Sequence, residues 1–246
     1  MDVIRGENAI LDAVERAAKV ALEIYNTDFS VETKSDGSPL TKADLAVNEI
    51  LIKTIKNNFP SELIVSEESK LPNGIVPPNF FLIDPIDGTT DFVKRTGEWT
   101  INVAWIENYK AKWGIISVPA LGEIFVSSRL SKVPQERDGG KETATRVLIS
   151  VSHRDPKTDE LIRKISNREE IAVGSSLKFC RLATNSADYY PRAIPLHEWD
   201  IAAGHAILKA AGGNIYKLGT QTELTYGNSG FETSPFEAFS SLSLSG

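Results

Sequence analysis

Residues 80–91 read F-F-L-I-D-P-I-D-G-T-T-D, a run of four apolar residues that gives way within six positions to two carboxylates, a proline and a glycine. Phe80 to Ile83 read as a short strand. Pro85 removes a backbone donor and fixes φ, while Gly88 permits a tight turn with its backbone exposed. A strand stopping at Asp84 therefore projects Asp84 and Asp87 from one end. Paired carboxylates in that position suit hard cations such as Mg2+, which take oxygen ligands and keep positions open for phosphate oxygens. The amides around Gly88 and Thr89 suit a phosphate. Alone, D-x-x-D-G is equally the chemistry of a surface turn; the whole string directly after an apolar run is far more specific.

Upstream, Leu11, Val14, Ala18, Ala21, Leu22 and Tyr25 recur at helical spacing and predict a helix over 7–26. Val47, Leu51, Ile55 and Phe59 predict a second over 41–59, with Thr41 as N-cap. The intervening V-E-T-K-S-D-G-S-P-L reads as a loop. Runs at 63–65, 100–106, 113–118 and 124–127 read as strands, and E-N-Y-K at 107–110 as a hairpin turn. The polar segment 131–145, with Gly139 and Gly140, is the best boundary, dividing an α+β part (1–145) from a part (146–246) where strand and helix alternate. There, 146–151 predicts a strand, Asp155 and Pro156 cap and start a helix, 171–173 predicts another strand, and 199–211 predicts a helix stopped by Gly212 and Gly213 before a strand at 215–218. The tail from 240 reads as frayed.

The 246 residues are 41% hydrophobic and 24% charged, ordinary values that exclude disordered, collagenous and coiled-coil chains. The formal charge of -6 is the wrong sign for a general binder of nucleic acid polymers, and the whole acidic excess lies before residue 146. The single cysteine, Cys180, makes no internal disulfide, and no apolar run approaches the roughly 20 residues of a membrane span. A cytoplasmic protein is expected, with a peripheral place at the inner membrane face left open. Trp105 and Trp113 on the predicted hairpin leave core packing or a homodimer open.

Two further acidic features stand out. Glu67 and Glu68 end the run L-I-V-S, where adjacent like charges usually belong to a solvated loop. Asp200 opens the small-residue helix after H-E-W, where an N-cap role is sufficient explanation in isolation. Taken together, carboxylates at three strand or helix ends beside a phosphate-cradling turn point to a phosphoryl-transfer site holding two or three metal ions.

At this constellation the chain resembles a known family. E-E, D-P-I-D-G-T and W-D-I-A-A-G are the signature of the inositol monophosphatase-like, lithium-sensitive, Mg2+-dependent phosphatases. Within them the chain is most similar to the bacterial 3'(2'),5'-bisphosphate nucleotidase (CysQ) group, through D-G-T-T-D-F-V-K-R-T-G-E-W-T-I-N-V-A (87–104), G-S-S-L-K-F (174–179), A-D-Y-Y-P-R and P-L-H-E-W-D. The resemblance implies a layered αβαβα sandwich. It implies hydrolysis of adenosine 3',5'-bisphosphate, the by-product of sulfate activation, to AMP and phosphate.

It also implies roles. Glu67, Asp84 and the carbonyl of Ile86 would hold one Mg2+, and Asp84, Asp87 and Asp200 a second. A looser third would use Glu67 near Asp44. Asp44 and Thr89 would orient and deprotonate the attacking water, although Asp44 alone reads as a residue stabilising the helix dipole. Gly88, Ser175, Ser176, Lys178, Arg192 and Glu198 would join the acids and Thr89 around the substrate, Glu198 at the ribose. Lys178 as a solvated charge and Arg192 as a structural ion pair remain open, as do Tyr189 or Tyr190 facing adenine or packing. His153, His197 and His205 are scattered and read as structural; Lys94 and Arg95 read as a solvated face.

Thr90 and Asp91 depart from the Lys-Glu common in the nucleotidases, the segment between Glu68 and Phe80 is short, and 131–145 has no assigned feature. An inositol-1-phosphate or other sugar phosphatase is the enzymatic alternative, and a non-catalytic nucleotide-sensing module the alternative of a different class.

Overall fold

The computed structural model describes residues 3–34, 37–130, 144–152 and 154–243. Most of the predicted boundary (131–143), His153 and the end of the tail (244–246) lie outside the described residues.

Two long helices, α1 (Val3–Tyr25) and α2 (Lys42–Asn58), lie against one another. Thr41 caps α2 as predicted: its side chain accepts from the Ala43 amide, and Asp44 completes a capping box. The stretch read as a loop is instead an antiparallel hairpin, β1 (Val31–Thr33) and β2 (Pro39–Thr41), with Val31 opposite Thr41. Its three-residue arms are too short to show alternation, and Pro39 is tolerated because β2 has a partner on one side alone.

The first sheet has the order β3 (Leu63–Ser66), β4 (Phe80–Asp87), β5 (Thr100–Glu107), β6 (Lys110–Val118), β7 (Glu123–Val126). Strands β3 and β4 are parallel and the rest antiparallel. The hairpin at E-N-Y-K is present, with Asn108 and Tyr109 both at positive φ (52° and 60°), as a tight hairpin turn requires. The first four residues of β4, Phe80 to Ile83, are continuously apolar because both faces are covered. Phe81 and Ile83 pack with α1 and α2, whereas Phe80 and Leu82 pack into the core shared with the rest of the chain. Trp105 and Trp113 are buried in the core formed with α1 and α2, Trp105 against Phe81 and Trp113 donating to Glu7, so they do not mark a dimer surface.

The second sheet is mixed, in the order β11 (Asn214–Lys217), β12 (Phe236–Phe239), β10 (Tyr189–Arg192), β8 (Thr145–Ser150), β9 (Arg168–Val173). Between the sheets lie α5 (Leu177–Ala183) and α6 (Glu198–Ala210); α6 packs on β4, β5 and β6 of the first sheet and on β11 of the second. Gly114 of β6 makes this approach possible, since a Cβ there would stand 2.6–3.0 Å from the backbone of Ala203. Helix α4 (Pro156–Arg163) packs against β10, and a short α3 (Thr89–Lys94) follows β4. The layers run αβαβα as expected, and one apolar core contains residues from both sides of the 131–145 segment. Asp155 caps α4, accepting from the Thr158 amide, with Pro156 at its first position.

Strands β10 and β12 and helix α5 were not anticipated, and β4 does not stop at Asp84. It continues to Asp87 through a bulge, since its pairing with β5 steps from Asp84 opposite Asn102 to Asp87 opposite Thr100. In a regular strand residues three apart point to opposite faces. The extra residue turns Asp84 and Asp87 toward the same side.

Candidate active site

The carboxyl end of β4, the start of α3, the turn before α5 and the start of α6 converge on a cleft of about 530 Å3, within the usual size of a small-molecule site. Glu67, Asp84, Ile86, Asp87, Gly88, Thr89, Ser175, Ser176, Lys178, Arg192 and Asp200 all line it. Asp44 stands one hydrogen bond behind the wall, and Glu198 does not face the cleft.

Asp84 and Asp200 are the most perturbed acids. Burial, and the charges of Glu67, Asp87 and Asp200 around it, push the Asp84 carboxyl well above the usual carboxylate range. Burial, then the charges of Asp87 and Glu67, does the same to Asp200. Asp87 is also raised by burial, against the opposing pull of Lys178 and the Ser176 amide. Asp200 is not the N-cap of α6, which is His197, but the third residue of the helix, from where it accepts from the His197 amide (3.0 Å). Asp84 Oδ1 is buried without a hydrogen-bond partner. An orphaned carboxylate oxygen amid mutually repelling acids is the donor chemistry of a site completed by a hard cation, and the residues fit one. Among the described residues no three His, Cys, Asp or Glu side chains already form a cage that could hold a metal ion. Glu67 Oε1 is engaged by Lys34 Nζ at 2.7 Å.

Lys34 comes from the hairpin and also bonds Glu68. Burial works against its charge, but the hydrogen bonds and charges of Glu67 and Glu68 prevail and raise its pKa. The solvated-loop reading of this pair therefore fails: the two acids are 25% and 7% exposed and share one ammonium. No local pattern in V-E-T-K signals Lys34, because the contact spans 33 positions.

Thr89 sits at the first position of α3, after Gly88 with φ 82°. Its hydroxyl lies 3.2 Å from Asp44 Oδ1 and 3.0 Å from the Ile86 carbonyl. Asp44 Oδ2 meanwhile accepts from the Thr41 amide (2.8 Å) and hydroxyl (2.6 Å), and burial raises its pKa despite them. Helix α3 is anchored by Phe92, fully buried among Tyr25, Phe29 and Trp99 at ring distances of 4.8–5.2 Å.

The second part supplies Lys178 and Arg192, the lysine and arginine that line the cleft. Lys178 is buried, donates to the Val173 carbonyl (3.0 Å) and stands 5.4 Å from the Tyr190 ring centre. Burial lowers its pKa to about 8, with Arg192 adding to the effect and Asp87 opposing it. Arg192 reaches Ser150 Oγ (3.3 Å) and Asp155 Oδ2 (3.7 Å). Lys178 is thus no solvated surface charge. Tyr190 lines the cleft beneath Lys178, whereas Tyr189 bonds Glu237.

Glu198 departs from expectation. Its buried carboxylate accepts from the amides of Gly227 (2.7 Å) and Asn228 (2.8 Å) and from Asn228 Nδ2 (2.7 Å). The first turn of α6 directs it into that loop, and it does not line the cleft where a ribose contact is expected of it. His205 is structural, bonded to Tyr226 and Asn214, with burial lowering its pKa to about 4. His197 instead lines the cleft, stacked on Trp199. Arg95 donates to the Thr27 carbonyl and stands over Tyr25 and Phe29. No described helix is long and apolar enough to cross a membrane, and the peripheral membrane position finds no support in the described structure.

Known proteins resemble the chain throughout. The model of the inositol monophosphatase family matches residues 6–241. The 3'(2'),5'-bisphosphate nucleotidase CysQ of Escherichia coli K12 is 31% identical over 218 residues, covering 84% of this chain and 88% of that one. That of Buchnera aphidicola is 32% identical over 249 residues, covering 92% and 93%. The crystal structure of CysQ from Bacteroides thetaiotaomicron superposes with a TM-score of 0.79 at 31% identity, covering 95% of this chain and 96% of that one. With the layered fold and the acidic cleft, these matches establish that the chain is a phosphatase and belongs to the inositol monophosphatase family.

Proposed function

We propose that the chain is a Mg2+-dependent 3'(2'),5'-bisphosphate nucleotidase that hydrolyses adenosine 3',5'-bisphosphate to AMP and phosphate in the cytoplasm, recycling the by-product of sulfate assimilation. The observation that carries the reading is the pairing, in one cleft, of a buried acidic cluster with the buried cations Lys178 and Arg192. The acids suit cations at the reacting phosphate, and a second anionic group on the substrate suits the basic wall. The CysQ relatives carry the same activity in their names.

Glu67, Asp84 and the Ile86 carbonyl would hold one Mg2+, and Asp84, Asp87 and Asp200 another, with a looser third near Glu67. When bound, the cations lower the pKa of water and neutralise charge on the phosphoryl oxygens. Thr89 donates its hydroxyl proton to Asp44, which leaves its oxygen lone pairs to accept a proton from the attacking water. As the water oxygen bonds to phosphorus, its proton passes to Thr89 Oγ1 while the Thr89 proton passes to Asp44; the ester P–O bond breaks, and the leaving nucleoside oxygen takes a proton from solvent water to become a hydroxyl. Ser175, Ser176, Lys178 and Arg192 orient the other end of the substrate. The test is a comparison of rates on adenosine 3',5'-bisphosphate, inositol 1-phosphate and fructose 1,6-bisphosphate with and without Mg2+; the nucleotide must lead.

A further inference from the structure

E-W-T-I-N (98–102) and G-S-S-L-K (174–178) are 72 or more positions apart by their nearest numbers, yet the fold brings them together, and Glu98, Thr100 and Asn102 have no part in the reaction described above. Alternate residues of extended chain point to one side. These three all reach the turn that enters α5. Glu98 Oε2 accepts from the Gly174 amide (2.8 Å), Thr100 Oγ1 and Ser176 Oγ share a hydrogen bond (2.7 Å), and Ser176 Oγ donates to Asn102 Oδ1 (2.8 Å).

The same groups meet Asp87. Its Oδ2 accepts from the Ser176 amide at 2.5 Å, with Thr100 Oγ1 and Asn102 Nδ2 each at 3.4 Å. All three contacts fall on that one oxygen. Thr100, Asn102 and Ser176 are at most 2% exposed, so water neither competes for these bonds nor replaces them when one partner is lost. Between the two fastened positions, Ser175 is held at φ 44°, a conformation a non-glycine residue rarely adopts, and it lines the cleft.

Building on the function proposed above, we propose that Glu98, Thr100 and Asn102 are positioning residues that lock the 174–176 turn to Asp87. The seat for the far end of the substrate and a cation-holding carboxylate are then set as one unit. A shift of the turn moves Asp87 Oδ2, and a rotation of Asp87 moves Ser175.

The test uses Thr100→Val, Thr100→Ser and Ser176→Ala in the full chain. Calorimetric titration reads affinity first for Mg2+ and then for inorganic phosphate in the presence of Mg2+, and thermal unfolding is followed in parallel. Thr100→Val and Ser176→Ala are expected to weaken both affinities by about tenfold, while Thr100→Ser, which keeps the hydroxyl, stays within about twofold of wild type. Folded variants with unchanged affinities, with one affinity lost alone, or with Thr100→Ser as impaired as Thr100→Val overturn the proposal. Failure of both Thr100→Val and Ser176→Ala to fold assigns these bonds to folding and overturns it too. Neither titration contains a nucleotide, so a preference for another phosphate ester would defeat the nucleotidase reading and leave this linkage standing.

Discussion

The hydroxyl of Thr89 and the carboxylate of Asp44 stand 3.2 Å apart, joining the start of α3 to the first turn of α2 across 45 positions of chain. Asp44 completes the capping box of its own helix through Oδ2 and meets Thr89 through Oδ1. One carboxylate thereby serves the fold and, in the proposed reaction, the proton path.

Replacing Thr89 by Ala removes the proton acceptor but no core packing. Turnover is expected to fall by about 10²–10⁴ with little change in KM, and Thr89→Ser to recover most of it. Steady-state kinetics at saturating Mg2+ decide the point; a Thr89→Ala enzyme at full rate contradicts the assignment.

The raised carboxyls give a pH signature to the cation-free protein. Where the folded pKa of an acid lies above its unfolded value, the folded state holds protons that the unfolded chain releases. That stability is complete below the ordinary aspartate value of 3.8 and is lost as pH rises through the raised values of Asp84, Asp87 and Asp200. Mg2+ replaces the missing protons. Its effect on the unfolding midpoint should therefore be larger at about pH 8 than at about pH 5; equal shifts at both would count against a cation among these acids.

Asp84→Asn tests the same crowding by removing a charge while preserving shape. The cation-free protein is expected to gain about 0.5–2 kcal/mol, as function-bearing charge clusters cost stability, and to lose both turnover and stabilisation by Mg2+. Calorimetric unfolding with and without Mg2+ checks it, and a destabilised variant that still turns over refutes it.

Lys178 titrates near pH 8 because it is buried, so its charge is available to an anionic ligand below that value and lost above it. KM for a bisphosphate substrate should climb above about pH 8, and Lys178→Met should raise KM about 10–100-fold while flattening that climb. The same climb in the variant would place the titrating group elsewhere.

Much of this was legible in local pattern. The unbroken run Phe80 to Ile83 announced a strand, Thr41 and Asp155 announced helix starts, and the spacing of Val47, Leu51 and Ile55 announced a buried face. Local pattern carries no information on contacts between distant segments, and the misses follow that rule. Lys34 meets Glu67 and Glu68 because the hairpin folds back, and Glu198 turns to a loop some 30 positions away. The bulge between Asp84 and Asp87 depends on pairing with β5. The four-residue strands Tyr189–Arg192 and Phe236–Phe239 are too short for a period to show, and each is stabilised by its neighbour in the sheet.

The most direct measurement is the rate of phosphate release from adenosine 3',5'-bisphosphate and inositol 1-phosphate, each with Mg2+ and with chelator. Rapid release is expected from the nucleotide, at least about tenfold faster in kcat/KM than from inositol 1-phosphate, a margin of one lost anion contact, and abolished by chelation. A nucleotide rate at or below the inositol phosphate rate, or one indifferent to chelation, would contradict it.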